Sequence, residues 1–153
     1  CPGSENLCYM IAGILEKIQD MTAFLNPTEK SYMRFGIHKA PGYVSWSSEN
    51  RSQLVRIPAA VGEYRRAELR SPDPMANPYL AFGLLIYAGL YGIENKLDLP
   101  KPANFNLYKA DMETLASFKR LPENLSSACK VAAASDFIRE YLPAAILDIY
   151  CKK

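Results

Sequence analysis

The sequence predicts an α+β fold, and three observations carry that reading. Residues 4–25 repeat apolar side chains at helical spacing. Three short segments, 43–47, 53–58 and 65–70, have the character of strands. A long apolar run from Tyr79 to Ile93 follows an Asn-Pro pair. Together they predict a small antiparallel sheet packed against about four helices.

SENLCYMIAGILEKIQDMTAFLNP carries Leu7, Ile11, Ile14, Ile18, Met21 and Leu25 in steps of four and three. Such steps place one stripe on a helix. Ser4 suits the N-cap, and Asn26-Pro27 stops the helix because proline disfavours helical backbone before it. Residues 26–42 contain Pro27, Gly36, Pro41 and Gly42 and read as a loop. YVSWS and QLVRIP, joined by SENRS, predict a hairpin with a longer turn. RRAELR predicts a third strand.

Asn77 caps the central helix, and Pro78 fits its first turn, where a missing N–H costs nothing. Apolar side chains lie all round this helix, so burial on most sides is expected. PKPANFNLY reads as an extended surface loop. Two more helices follow in LPENLSSACKVAAAS and SDFIREYLPAAILDIYCKK. Ser135 caps the second, and Pro143 kinks or restarts it.

The chain has 153 residues, 49% apolar and 22% charged, with a net charge of +2. That length allows one domain with a core. The charge balance gives no reason to expect nucleic acid or an anionic membrane. The apolar run at 79–93 is too short to span a bilayer. Cys1, Cys8, Cys129 and Cys151 form no CxxC pair, and His38 is the one histidine, which argues against zinc. Such sparse cysteine points to reduced thiols and a cytoplasmic setting, although an even count allows disulfides. The chain starts at Cys1 rather than methionine, so a piece of a larger polypeptide is expected.

Chemistry concentrates in the arginines. Side chains alternate along a strand, so Arg66, Glu68 and Arg70 share one face while Ala67 and Leu69 share the other. One reading is a solvated strand face with weak ion pairs. The other takes in Arg51, Arg56 and Arg34. Gathered guanidinium groups repel unless anions sit among them, and their planar forks match carboxylate and phosphate oxygens. A single glutamate among them suits a hard cation beside phosphate. The second reading therefore has a phosphorylated ligand bound together with a carboxylate substrate.

NPTEKSYMRF, ENRSQLVRIP and RRAELRSPDPMANPYLAFGLLIYAGLYGIENKL, in this order and spacing, resemble the C-terminal part of the glutamine synthetase catalytic domain. The resemblance runs from about Ala12 to about Tyr108 and continues more loosely. It makes residues 1–153 the C-terminal part of that domain, without the rest of it or the N-terminal domain. The family uses ATP and Mg2+ or Mn2+ to join ammonia to L-glutamate through γ-glutamyl phosphate, in a ring-shaped homo-oligomer.

The resemblance implies glutamate binding by Arg34, Arg51 and Arg70. It implies ATP contacts from Arg51 and Arg56, and metal ligation by Glu68. Lys39 stands where the family often has a glutamate that helps deprotonate ammonium, and His38 beside it is a candidate stand-in. Arg65 replaces a lysine that some members use near ATP. Tyr108 falls near a tyrosine that some bacterial members modify. The piece by itself is expected to be inactive, since one carboxylate cannot build a multi-metal site. Ligation of glutamate to another amine, and a non-catalytic structural module, are the alternatives.

Overall fold

The computed structural model describes residues 4–37, 40–60 and 62–151. The fold is α+β, with seven α-helices and a three-stranded sheet among the described residues. Helix α1 (Glu5–Leu25) starts where the Ser4 hydroxyl accepts the Leu7 N–H at 3.2 Å. It ends at Asn26, whose N–H bonds the Thr22 carbonyl. Ile11, Ile18, Met21 and Leu25 of the stripe are buried, with Leu15 and Phe24 beside them. Within the segment expected to be a loop, Thr28 and Ser31 close a reciprocal capping box around the single turn α2 (Glu29–Tyr32).

The strands are β1 (Trp46–Ser47), β2 (Val55–Arg56) and β3 (Glu68–Leu69), in the order β1-β2-β3. The sheet is mixed. β2 and β3 pair antiparallel, with Arg56 opposite Glu68, but β1 and β2 run parallel, with Trp46 opposite Val55. The expected hairpin does not form, and the reason lies in Ser47 and the SENRS segment that follows it. Ser47 Oγ accepts the N–H groups of Glu49 and Asn50, and Asn50 Oδ1 accepts the N–H and the hydroxyl of Ser52. Short polar side chains thus take over backbone donors that a hairpin ladder would use. The chain curls on itself and re-enters beside β1 in the same direction.

Helix α3 (Pro78–Glu94) begins at Asn77, whose Oδ1 accepts from Tyr79 N and Leu80 N. Ala81, Leu84, Ala88, Gly89 and Gly92 are its buried residues, and its packing is against α1. A Cβ added at Gly13 would overlap the Ala88 carbonyl, and one at Gly92 would overlap that of Tyr9. The two backbones therefore touch. The expectation of burial on most sides is not met, because Tyr79 is 87% and Phe82 66% exposed, with Ile86, Tyr87 and Leu90 also open. A sequence that is apolar all round does not say how many sides find a neighbour.

The segment after α3 is pinned to the sheet rather than lying loose. Trp46 Nε1 donates to the Pro100 carbonyl at 2.6 Å, Ala103 N to Trp46 O, and Gln53 Nε2 to Phe105 O. Helices α4 (Met112–Ala116), α5 (Leu125–Ala134), α6 (Asp136–Tyr141) and α7 (Ala144–Cys151) complete the chain. Ser135 caps α6, and Pro143 separates α6 from α7. Among the described residues, Cys129 and Cys151 are free thiols. An even count in sequence carries no pairing. Among the described residues no helix is long and apolar enough to cross a membrane.

Candidate functional site

Sheet pairing sets Arg56 directly opposite Glu68. Arg56 Nη1 donates to Glu68 Oε2 at 3.0 Å, and its Nε donates to the Glu49 carbonyl at 3.2 Å. Arg66 Nη2 lies 3.3 Å from Glu68 Oε1. Each carboxylate oxygen therefore faces one guanidinium. Burial alone raises the Glu68 pKa. The hydrogen bond and charge of Arg56, and then of Arg66, outweigh it and hold the carboxyl below its ordinary range.

Arg70 follows β3 and extends the pairing, its N–H donating to Leu54 O at 3.0 Å. Its Nη1 is buried and has no hydrogen-bond partner. A buried cationic donor without an acceptor is costly, and structures seldom keep one without a use. The Tyr108 hydroxyl lies close enough to feel the Arg70 charge. Burial raises the Tyr108 pKa, and Arg70 partly offsets that.

Arg34 is tied down. Its Nη2 donates to Asn26 Oδ1 at 2.9 Å and to Ser71 O at 3.0 Å, and its Nε lies 3.3 Å from Asp73 Oδ2. That Nε contact is an ion pair without hydrogen-bond alignment, since Nε counts among the buried donors lacking a partner. Arg34 thus braces the end of α1 against the turn that follows Arg70. Asn26 and Asp73 were not foreseen as parts of the site. The SPDP turn in the sequence was the available signal, since a charged residue between two prolines is held in place.

Arg51 sits exposed in the turn after SEN. Beside that turn, Ser47, Ser48, Glu49, Asn50 and Asn104 line a polar cavity of about 470 Å3. Arg65 and Arg66 line a second, smaller cavity with Glu49, Ile57 and Pro58. His38 and Lys39 lie outside the described residues. The structure therefore brings Arg56, Arg66 and Glu68 into direct contact and links Arg34 to the segment just after Arg70. Among the described residues, Arg51 makes no ion pair.

Glu68 is one carboxylate already held by two arginines. Among the described residues, no three or more His, Cys, Asp and Glu side chains are grouped to hold a metal ion. The residues present do not form a complete divalent-cation site.

Comparison with known proteins places these features. Residues 2–153 match the family model described as "Glutamine synthetase, catalytic domain". The chain is 43% identical to a glutamine synthetase of Methanosarcina mazei over 98% of its length, covering 34% of that protein. It is 39% identical to a glutamine synthetase of Staphylococcus aureus over 91% of its length, covering 32% of that protein. It spans about a third of these curated relatives. Among solved structures, one titled "GmaS/ADP complex-Conformation 1" superposes with a TM-score of 0.83 at 30% identity, over 96% of this chain and 35% of that one. "Apo GmaS without ligand" gives 0.82 at 31%, over 96% and 34%.

Proposed function

Because the chain belongs to the glutamine synthetase catalytic-domain family, we propose that residues 1–153 form the C-terminal part of such a domain. In a full-length parent this part helps ligate ammonia to L-glutamate with ATP. The observation that carries the proposal is the buried, unpartnered Arg70 Nη1, on a residue that follows the strand bearing Glu68 and its partners Arg56 and Arg66. The family match and the ADP-bound title of a structural neighbour support it.

In this reading the γ-carboxylate of glutamate attacks the terminal phosphoryl group of ATP, and ADP leaves. Ammonia then attacks the acyl carbon, phosphate departs with the bonding pair, and a proton is lost from nitrogen. Arg70 receives a substrate carboxylate on its free donor. Arg34, held by Asn26, Ser71 and Asp73, offers Nη1 to the same substrate. Arg51 reaches from its exposed turn toward the phosphate, and Arg56 contacts the nucleotide. Fixed guanidinium groups stabilise negative oxygens without reorganising as charge moves.

Mg2+ or Mn2+, which the family reading brings, supplies charge neutralisation at phosphate oxygens. Glu68 is the one candidate ligand here, and it must loosen Arg56 or Arg66 to serve. Among the described residues, no further His, Cys, Asp or Glu side chains gather with it to complete a metal site. The parent is proposed to be an oligomer and cytoplasmic.

Phosphate release by the full-length parent tests this reading. Release that requires glutamate and ammonia together supports it, and release as fast without ammonia overturns it. A second reading, ligation to a larger amine, is favoured by Lys39, which stands where the family often has a glutamate. An amine panel separates the two: ammonia outcompeting every larger amine removes the second.

A further inference from the structure

Where α5 and α7 pack together, beside Glu29 of α2, two free thiols meet. Cys129 lies buried on α5, and Cys151 lies half-buried at the end of α7. Both side chains face one cavity. The Cys129 thiol donates to the carbonyl of Tyr150, the residue before Cys151, at 3.5 Å. Both line one open cavity of about 300 Å3 with Glu29, Leu125, Lys130 and Tyr150, so a small reagent can reach them.

We propose that Cys129 and Cys151 are an oxidisable pair that closes into an intrachain disulfide, fastening α7 to α5. The co-reactant is a small-molecule disulfide. One thiolate attacks a sulfur of the reagent, whose S–S bond breaks and releases one thiol. The second cysteine then attacks the mixed disulfide, forming the Cys129–Cys151 bond and releasing the other thiol. Two protein thiols are oxidised, one reagent disulfide is reduced to two thiols, and both protons leave with the products.

The consequence follows from how α7 is held. None of its residues is fully buried, and Tyr150 anchors it through one aromatic contact with Phe24, centroids 5.0 Å apart. A covalent tie between neighbours in space, distant in sequence, restrains a helix that has no fully buried residue. Burial, and then the hydrogen bond and charge of Cys129, push the Cys151 thiol up to about 12. Little thiolate forms at neutral pH, so closure is slow and quickens as pH rises. The device is a durable lock rather than a fast sensor.

The test treats the folded protein with oxidised glutathione, alkylates the remaining thiols and maps proteolytic peptides by mass. The expected product is a linked peptide pair containing Cys129 and Cys151, with amide exchange in α7 slowed on the order of 10- to 100-fold. C151S, at the half-exposed position, must abolish the link while keeping the fold. Separate glutathione adducts on the two cysteines, or both recovered fully alkylated at pH 9 after long oxidation, overturn the proposal. A link with no change in α7 exchange overturns the fastening role.

Discussion

The contact of α1 with α3 and the pairing of β2 with β3 are built on opposite plans. In the first, Gly13 and Gly92 let two backbones touch, and buried Ile11, Leu15, Leu84 and Ala88 line the contact region. No ion pair joins these two helices. In the second, two strands of two residues each bring Arg56 against Glu68, with Arg66 closing the other carboxylate oxygen. The helix pair holds the molecule together through close packing, where every added atom must be accommodated. The strand pair holds a half-exposed charged cluster that contributes little to stability and is free to exchange partners for a ligand. Stability and chemistry are thus assigned to different parts of one small chain.

The largest expected effect comes from breaking the first plan. Gly92→Val inserts atoms where the Tyr9 carbonyl already sits, so the helices must part. The loss is about 3 kcal/mol or more, read as a fall in the urea midpoint. An unchanged midpoint would show that α1 and α3 separate without strain.

Next comes Arg34→Ala, which leaves Asn26 Oδ1, Ser71 O and the Asp73 carboxylate without their shared partner. Removing one side of a partly buried charged network costs about 1–3 kcal/mol. Arg34→Lys should recover only part of it, because a single ammonium cannot serve three acceptors at once. Full recovery by lysine would reduce the bracing role to simple charge.

Glu68→Gln should move the midpoint little at neutral pH but flatten its acid dependence. The folded pKa of Glu68 lies below the ordinary value of 4.5. Its contribution is therefore complete above that value and disappears as the pH falls through the lower, folded value. An acid limb as steep in the variant as in the wild type would remove Glu68 from the account. In the full-length parent the same variant should lose phosphate release far out of proportion to stability.

Arg51→Ala should change stability least of all, within about 0.5 kcal/mol, because its side chain is exposed. Phosphate release by the parent should nevertheless fall by on the order of 100-fold. Equal release would place Arg51 outside the site.

Much of the helical layer was legible in advance, and for a local reason. Ser4, Asn77-Pro78, Ser135 and Pro143 act on backbone groups within a few residues, so their meaning needs no tertiary context. The chemistry of the arginine face was legible in kind, since alternation along a strand and the guanidinium fork are properties of the chain itself. The short turns α2 and α4 carried too little periodicity to stand out.

What the tertiary structure alone decided depends on groups far apart in sequence. The direction of β1 against β2 turned on whether the Ser47 and Asn50 side chains captured backbone donors before the ladder did. Which side of α3 is buried was decided by Gly13 and Gly92 meeting, because an apolar helix offers several faces and only backbone approach selects one. Arg34 found Asn26 and Asp73, and Arg70 was left with a free buried donor, through folding of segments up to 39 residues apart. Cys129 and Cys151 met for the same reason. Composition and spacing determined which elements and charges this protein has. Long-range packing, where excluded volume and unmet hydrogen bonds set the terms, decided which of them face one another.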